Sequence, residues 1–447
     1  MSKIVFPEKF YWGTATASYQ IEGGAAQDGR KESIWDRFCQ MPGNILNNDN
    51  GAEANDHYNR FREDVKLMKE LGHTSYRFSV SWSRVIPDGT GAVNEKGLKF
   101  YSDLVDELLA AGIEPFLTIY HWDLPQALQD RGGWQNEESI AWFEEYCRVL
   151  FTALNGRVKY WATLNEPYCT AWLGNHTGEH APGMRDLGTA IRVSYNELRA
   201  HGAAVRLFRS MGVEGKIGIV LNNTPVIPAS DDPRDQMAAR YQDGYNNRWF
   251  YDPVFKGTFP RDMIELFRAR GITLPDFSDE ASICEPLDFF GLNYYFPTTI
   301  AYDKFAWPFY AREVRTELPY TDRGWPIAPK VFRDLIIRLN TEYKLPPMVI
   351  SENGASYNDV LGVDGQIHDA NRIDFIRRHL EAVHEAIEYG VDVFGYFVWS
   401  LYDNFEWAFG RYSRFGIVYE DFDTHVRTPK DSAYWYRKVI EENGFDR

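Results

Sequence analysis

The sequence predicts an α/β fold, a single (β/α)8 TIM barrel with long βα loops, in one domain that spans residues 1–447. The chain alternates eight short runs rich in β-branched and aromatic residues with longer amphipathic segments. Parallel strands need a crossover between neighbours, and eight such strands close a barrel. No linker or low-complexity tract divides the chain into separate parts.

The predicted strands are the apolar runs of the chain. In order, they begin at Phe10, Thr74, Glu114, Lys159, Lys216, Asp288, Pro347 and Val393. The segments from one strand to the next are longer than a minimal unit of roughly 30 residues requires. We therefore expect insertions in several loops.

The predicted helices carry apolar residues at helical spacing on one face. Clear examples are DHYNRFREDVKLMKELG, LKFYSDLVDELLAAG and the last helix, SAYWYRKVIEEN. In the second of these, the expected apolar stripe consists of Tyr101, Leu104, Val105, Leu108 and Leu109. A doubly wound open sheet is the alternative architecture. It is disfavoured because the chain has no G-x-G-x-x-G fingerprint after its first strand and no P-loop.

The charge of the chain disfavours two classes of partner. With 48 Lys and Arg against 64 Asp and Glu, the net charge is −16, which repels nucleic acid and anionic membrane surfaces. No apolar run approaches the roughly 18 residues of a membrane span, and no signal-peptide pattern precedes the first strand. We expect a cytoplasmic protein without a nucleic-acid or membrane partner. Whether the protein forms a homo-oligomer stays open.

The cysteines and histidines show no metal-ligand pattern. Cys39, Cys147, Cys169 and Cys284 lie far apart without a C-x-x-C pair, which favours four reduced and mostly buried thiols. The ten histidines show no H-E-x-x-H spacing, and no calcium-loop motif is present. We expect no metal and no cofactor.

Polar and aromatic side chains end or follow the predicted strands, at the edge where a βα barrel forms its active site, and Arg77 lies inside the second strand. In chain order they are Gln20, Arg77, His121, Trp122, Asn165, Glu166, Asn293, Tyr295, Glu352, Trp399, Glu406 and Trp407. We expect these side chains to surround one cavity.

Glu166 and Glu352 are the central pair of this set. Each ends a strongly apolar strand, where a charged side chain is costly unless it is paired or used. Either residue alone is as readily explained by a buried arginine partner. Two carboxyl groups at equivalent strand ends, among Gln, Asn, His and Trp, match what glycoside hydrolysis needs: one to protonate the leaving oxygen and one on the opposite face. Indoles stack on sugar rings, and amides bind hydroxyls.

Six motifs, in the expected order, resemble those of glycoside hydrolase family 1, the bacterial β-glucosidase type. They are FYWGTATASYQIEG, YHWDLPQ, TLNEP, GLNYY, ISENGA and WSLYDNFEWAFGRYSRFG, and the similarity extends from about Phe6 to about Ile440. Each motif is weak alone, but the ordered set is very specific. The resemblance implies a β-glucosidase that hydrolyses terminal non-reducing β-D-glucosyl residues of cellobiose, short cello-oligosaccharides and aryl β-glucosides.

The resemblance also implies a retaining double displacement through a covalent glycosyl-enzyme. Glu352 matches the nucleophile and Glu166 the acid/base, two carboxyl groups that would lie about 5–5.5 Å apart. Arg77 and Tyr295 are expected beside Glu352, because positive charge and hydrogen bonding keep a carboxylate ionised. The like charge of Glu352 is expected to raise the pKa of Glu166.

The remaining matches concern the sugar. Asn165 and Asn293 are expected near its 2-hydroxyl and the catalytic carboxylates. The expected substrate-binding set is Gln20, His121, Trp122, Asn165, Trp399, Glu406 and Trp407. Trp325, in DRGWPI, is a weaker match on the aglycone side and could equally be a packed loop residue.

Two substrate classes within the family are disfavoured. Thioglucosidase relatives carry Gln in place of the acid/base, whereas this chain has Glu166. Relatives that act on 6-phosphoglycosides carry Ser at the position of Glu406 and Lys close to Ser413. A carboxylate at that point repels a phosphate dianion. Glucoside or galactoside preference stays open because Gln20 and Glu406 can bond either epimer, so some β-galactosidase activity is compatible with the sequence.

Two other function classes also stay open. A sugar-binding or sensing protein could keep the fold without catalysis, although it would not need both glutamates together with Arg77 and Tyr295. A transglycosidase shares the glycosyl-enzyme and differs in its acceptor. Turnover of an aryl β-glucoside tests the first alternative, and product analysis at high sugar concentration tests the second.

Overall fold

Eight parallel strands form a closed barrel in the computed structural model, which describes residues 3–447. The strands, labelled β1 to β8 in chain order, are Tyr11–Ala15, Ser75–Ser79, Glu114–Tyr120, Tyr160–Asn165, Lys216–Asn222, Phe289–Asn293, Met348–Asn353 and Val393–Trp399. Neighbours in sequence are neighbours in the sheet, and β8 pairs with β1 to close the barrel. Each predicted strand is present, and the predicted fold class is confirmed.

A principal helix follows each strand and covers the outside of the barrel. These helices, labelled α1 to α8, are His57–Glu70, Glu95–Ala111, Ser139–Leu154, Leu187–Ser210, Trp249–Lys256, Pro329–Tyr343, Ala370–Glu388 and Asp431–Glu442. In α2, four members of the predicted apolar stripe are buried, but Leu109 is 39 % exposed. Leu109 follows Leu108 by one residue, a step of about 100° that takes it off the buried face.

The connections carry the predicted insertions. The additional helices are Ser18–Ile21, Ile34–Cys39, Trp82–Val85, Gln126–Gln129, Pro233–Asp243 and Arg261–Ala269. The 3₁₀ turns are Leu46–Asn48, Gly133–Gln135, Glu280–Ile283 and Trp407–Phe409, and the π-helical segments are Cys169–Thr177 and Gly244–Arg248. The additional strands form a three-stranded sheet of Val226–Pro228, Thr298–Tyr302 and Ala311–Glu313 and an antiparallel pair of Val418–Glu420 with Arg427–Pro429.

A short antiparallel pair joins the two ends of the described chain, Lys3–Val5 with Gly444–Asp446. Beside it, the indole nitrogen of Trp12 donates to Oδ1 of Asn443 over 2.9 Å. Nδ2 of Asn443 donates to the carbonyl oxygen of Phe6 over 2.7 Å. Because the chain passes from this pair into the amino end of β1, the pair lies on the face opposite the βα loops.

The interior of the barrel is packed with aromatic rings. Phe116 and Tyr160 stack with their centroids 4.1 Å apart, and Tyr11 and Phe394 contact the same two rings. The amino-terminal half of the barrel is therefore a solid core, and the open space lies above it, at the carboxyl ends of the strands. Much of the aromatic content of the sequence serves this core.

The cysteines are unpaired and only partly buried. Cys147 and Cys169 are buried, Cys39 is half-buried and Cys284 is exposed. The expectation of mostly buried thiols therefore holds for two of the four. Within residues 3–447, no helix is long and apolar enough to cross a membrane.

Candidate active site

The side chains predicted at the strand ends come together around a cavity of about 350 Å³ at the carboxyl end of the barrel. That volume is within the range of small-molecule sites. The predicted residues that line it are His121, Trp122, Glu166, Asn293, Tyr295, Trp325, Glu352, Trp399, Glu406 and Trp407. The others, Gln20, Arg77 and Asn165, are buried directly behind this lining and are hydrogen-bonded to it.

Glu352, the penultimate residue of β7, is held by a cation and a hydroxyl group. Nη1 of Arg77 lies 2.5 Å from Oε1, and the hydroxyl of Tyr295 donates to Oε2 over 2.7 Å. Burial raises the pKa of Glu352, while Arg77 and the hydrogen bond from Tyr295 oppose that rise. Of the two central carboxyl groups, this one is therefore the more readily ionised.

Glu166 follows β4 and has a different environment, with no cation of the described chain in contact. Nδ2 of Asn293 donates to Oε1 over 2.6 Å, and the thiol of Cys169 donates to Oε2 over 3.1 Å. Burial, and after it the like charge of Glu352, raises the pKa of Glu166 to about 7. The like charge was predicted from the sequence, but burial is the larger cause.

The two asparagines connect the carboxyl groups through one network. Oδ1 of Asn165 accepts from Nη2 of Arg77 over 2.6 Å and from Nδ2 of Asn293 over 3.1 Å. Ser351 donates to Oδ1 of Asn293 over 2.7 Å. Because both amide oxygens accept hydrogen bonds within the network, the orientation of each amide group is defined.

The amide orientation of Asn165 also defines the protonation of His121. Nδ2 of Asn165 is a donor, and Nε2 of His121 lies 3.1 Å from it, so Nε2 accepts and the ring proton is on Nδ1. Burial, followed by the charge of Arg77, lowers the pKa of His121 well below its usual value. The neutral ring keeps a buried N–H beside the cavity, without a partner among residues 3–447.

Gln20 and Glu406 meet at a further point of the cavity wall. Nε2 of Gln20 donates to the carbonyl oxygen of Phe405 over 2.9 Å and lies 3.4 Å from Oε2 of Glu406. Oε1 of Gln20 has no partner within the described residues. Burial raises the pKa of Glu406 to about 7, and Arg323 is the strongest opposing influence. The pair offers an amide and a carboxyl group to a hydroxylated ligand.

Three indoles and one imidazole form the aromatic wall. Trp407 lies 4.8 Å from Trp122 and 6.2 Å from His121, measured between ring centroids, and the His121 and Trp399 rings stack at 6.0 Å. Trp122, Glu166 and Trp407 have φ angles of +76°, +43° and +52°, in the left-handed region. Non-glycine residues adopt this conformation where the surrounding structure enforces it, often at functional sites.

The cavity also contains residues that were not assigned to the site from the sequence. They are Tyr168, Cys169, Leu173, Glu179, His180, Asn222, Asn223, Thr224, Phe296, Arg323, Ala408, Phe409 and Phe415. A sequence signal existed for two of them. Cys169 follows Glu166 by three residues, about one helical turn, and Arg323 stands two residues before Trp325 in the motif DRGWPI.

The sequence was compared with known protein families, and the result agrees with the carboxyl groups, amides and indoles found at the strand ends. The sequence model of glycosyl hydrolase family 1 matches residues 2–445. The chain belongs to this family. The resemblance in the six motifs and the enzyme class, an O-glycosyl hydrolase, are thereby confirmed.

The chain has full-length bacterial relatives. It is 47 % identical to β-glucosidase A of Acetivibrio thermocellus over 100 % of both chains and 49 % identical to β-glucosidase A of Thermotoga maritima over 99 % of both. It is 48 % identical to the 1,4-β-D-glucan glucohydrolase of Thermotoga neapolitana, over 98 % of this chain and 99 % of that one.

The similarity extends to solved structures. The family 1 β-glucosidase from Thermotoga maritima superposes with a TM-score of 0.97 at 48 % identity, over 100 % of both chains. A structure of the enzyme from the same organism with glucoimidazole covers 99 % of this chain and 100 % of that one, with a TM-score of 0.95 at 49 % identity.

Proposed function

We propose that the protein is a retaining β-glucosidase, with Glu352 as the nucleophile and Glu166 as the acid/base. The observation that carries this assignment is the contrast between the two carboxyl groups. Glu352 is bonded to a guanidinium and a phenol hydroxyl, whereas Glu166 has no cation of the described chain in contact and a pKa raised to about 7. One group is therefore ionised at a pH where the other still carries a proton, as the two roles require.

In the first step, a carboxylate oxygen of Glu352 attacks the anomeric carbon of a β-glucoside. The bond from that carbon to the aglycone oxygen breaks, and the proton of Glu166 passes to the leaving oxygen. As the bond to the sugar forms, the negative charge of Glu352 disappears. Its partners Arg77 and Tyr295 hold the carboxylate in place for the attack.

In the second step, water displaces Glu352 from the anomeric carbon, and Glu166 accepts the proton of that water. The change of role follows from electrostatics. Once Glu352 is esterified, the like charge that contributes to the raised pKa of Glu166 is gone, so Glu166 ionises and acts as a base. The hydrogen bonds from Asn293 and Cys169 stabilise that ionised form.

The glucose ring is proposed to lie against Trp399, with the other binding groups around its hydroxyls. Neutral His121 offers its free N–H, Gln20 its free amide oxygen, and Glu406 its carboxyl group. Asn165 and Asn293 serve the 2-hydroxyl, and Trp325 borders the aglycone. Trp122 and Trp407 complete the wall.

The proposed substrates are cellobiose, short cello-oligosaccharides and aryl β-glucosides, with some activity on β-galactosides. The names of the relatives, two β-glucosidases and a glucan glucohydrolase, support this range. We propose further that residues 1–447 act as one catalytic domain, without a cofactor, in the cytoplasm. The four cysteines are free thiols, which fits a reducing compartment.

A mechanism-based inactivator tests the two roles. A 2-deoxy-2-fluoro β-glucoside with a good leaving group should label the wild-type protein with one sugar, and peptide mapping should find the label on Glu352. E352Q should accept no label, whereas E166Q should still be labelled, because an activated leaving group does not need protonation. A label on another residue would overturn the assignment.

Product analysis tests the stereochemistry and the function class. Proton NMR during hydrolysis of 4-nitrophenyl β-glucoside should show β-glucose first and α-glucose only after mutarotation. If α-glucose forms first, the enzyme inverts and the proposed separation of about 5–5.5 Å between the carboxyl groups is wrong. If the protein binds cellobiose without turnover of any β-glucoside, it is a sugar-binding protein.

A further inference from the structure

Arg323 lines the cavity from the loop between β6 and α6. Its guanidinium carbon lies 3.4 Å from the ring centroid of Phe409 and 4.7 Å from that of Trp325. Nη1 donates to the hydroxyl of Ser413 over 2.9 Å. The side chain is thus fixed by stacking and one hydrogen bond, and it is in place before any ligand binds.

The positive charge of Arg323 has no matching carboxylate. Within residues 3–447, no Asp or Glu oxygen lies within ion-pair distance of it, and its Nε is buried without a hydrogen-bond partner. Arg323 as a whole is half-buried. Two fully buried arginines differ from it, since Arg77 is paired with Glu352 and Arg84 with Glu22. Burial lowers the pKa of the Arg323 guanidinium, so a carboxylate bound beside it would offset part of the cost of its desolvation.

Arg323 also stands alone among the described residues that line the cavity, which include no other arginine and no lysine. The carboxyl group that acts most strongly on Arg323 is that of Glu406, which it does not contact. Arg323 in turn opposes the rise in the pKa of Glu406 that burial causes. A planar guanidinium with free N–H groups binds a carboxylate or a phosphate through two parallel hydrogen bonds. Glu406 repels a phosphate dianion more strongly than a singly charged carboxylate, and this difference favours the carboxylate as the ligand of Arg323.

We propose that Arg323 forms an anion-recognising subsite at the edge of the cavity and binds a carboxylate carried by the β-glucoside substrate. The inference rests on the proposed function and specifies its substrate class. Arg323 stacks on Trp325, proposed on the aglycone side, and acts electrostatically on Glu406, proposed at the 6-hydroxyl, without contacting it. The carboxylate therefore has two sources, an acidic acyl group on the 6-hydroxyl or an acidic aglycone.

Two matched pairs of substrates separate these sources. One pair is 4-nitrophenyl β-glucoside carrying a 6-O-malonyl group and the same compound with that malonyl group methylated. The other pair is 4-carboxyphenyl β-glucoside and its methyl ester. In each pair the shapes are similar and the main difference is the charge. The two leaving groups of the aryl pair also differ in acidity, so recognition of the carboxylate is measured by comparing the acid-to-ester ratio of kcat/KM between the wild-type protein and each variant.

R323M is the main variant, because methionine keeps apolar contact with Phe409 and Trp325 while it removes the charge. We expect the acid-to-ester ratio to fall at least tenfold for one pair, mainly through KM, and the pair that responds identifies the source. R323K, which keeps the charge without the planar fork, should give an intermediate ratio and also serves if R323M does not fold. R192M removes an exposed charge from α4 and should leave both ratios unchanged.

A different result would overturn the subsite. If R323M leaves the acid-to-ester ratio of both pairs at the wild-type value, or lowers the activity on acid and ester equally, Arg323 only packs or acts through Glu406. Absence of turnover of 4-nitrophenyl β-glucoside by the wild-type protein would count against the proposed function instead. In that case the ratios of Kd for the same pairs, measured by calorimetry, decide on the subsite.

Discussion

Arg77 and Glu352 form an ion pair across the barrel, 2.5 Å apart, with side chains only 3 % and 5 % exposed. In R77M the cation that opposes the effect of burial is gone, so the pKa of Glu352 should rise and the nucleophile should be protonated at neutral pH. We expect kcat/KM for an aryl β-glucoside to fall by about 100-fold or more. The acidic limb of its pH profile should move to higher pH.

R84M is the matched control for R77M. Arg84 is 1 % exposed and pairs with Glu22 over 2.9 Å, away from the two central carboxyl groups. Loss of one partner from a buried pair costs about 3–5 kcal/mol of stability, so both variants should melt at lower temperature. Only R77M should shift the acidic limb; an equal shift in R84M would assign the effect to stability.

The hydroxyl of Tyr295 makes a smaller contribution to the ionisation of Glu352. Y295F removes the 2.7 Å hydrogen bond to Oε2 and should raise the pKa of Glu352. We expect a fall in kcat/KM of about 10- to 100-fold, measured below pH 7 where the effect is largest. Y294F, which removes a hydroxyl bonded to the carbonyl oxygen of Ala328, should leave the pH profile unchanged.

The thiol of Cys169 tunes the acid/base. It donates to Glu166 and lowers the pKa of that carboxyl group, so C169A should raise it. Since the general acid works in its protonated form, the basic limb of kcat/KM should move to higher pH in C169A. C169S offers a stronger donor and should move the limb to lower pH. C284S, at an exposed site, is the control; identical profiles for C169A and C169S would refute the interpretation.

Glu197, on α4, is fully buried, and neither of its carboxyl oxygens has a hydrogen-bond partner in the described part of the chain. Burial raises its pKa well above the usual 4.5. The folded protein therefore holds a proton that the unfolded chain releases above about pH 4.5, and stability from this group is lost as the pH rises. A tenfold difference in proton affinity between the folded and the unfolded protein corresponds to about 1.4 kcal/mol of stability.

E197Q should remove this pH dependence. Its melting temperature should exceed that of the wild-type protein at pH 8 and differ little at pH 4.5. E22Q is the contrasting variant, because Glu22 is also buried but pairs with Arg84, and its loss should destabilise the protein at pH 8. If E197Q destabilises the protein at both pH values, the carboxyl group of Glu197 is stabilised by a partner such as a buried water molecule.

The barrel could be predicted because its strands are apolar runs whose polar residues stand at their ends. Glu166 and Glu352 were identifiable for the same reason, since a charged residue after a buried strand is conspicuous in sequence. Arg323 was not assigned to the site, although it stands two residues before Trp325, because the loop that carries it has no periodic pattern and its hydrogen bond to Ser413 joins residues 90 positions apart. Contacts of that kind depend on how two long loops pack.

The surroundings of individual side chains could not be predicted from the sequence either. The cause of the raised pKa of Glu166 is mainly burial, which depends on how closely the loops cover the strand end. The sequence pattern places Leu109 in the apolar stripe of α2, yet its side chain is 39 % exposed in the structure. The same limit applies to Cys169, whose donor role depends on the direction of its side chain toward Glu166.

The antiparallel pair of Lys3–Val5 and Gly444–Asp446 has a practical consequence for tethering. Residues 3–5 and 444–446 lie side by side on one face of the barrel, and the cavity opens on the opposite face. Attachment of the protein to a bead or electrode through either end therefore points the cavity toward the solution. A carrier module fused to one end and a second module fused to the other would lie side by side, and neither would obstruct the entry of a sugar.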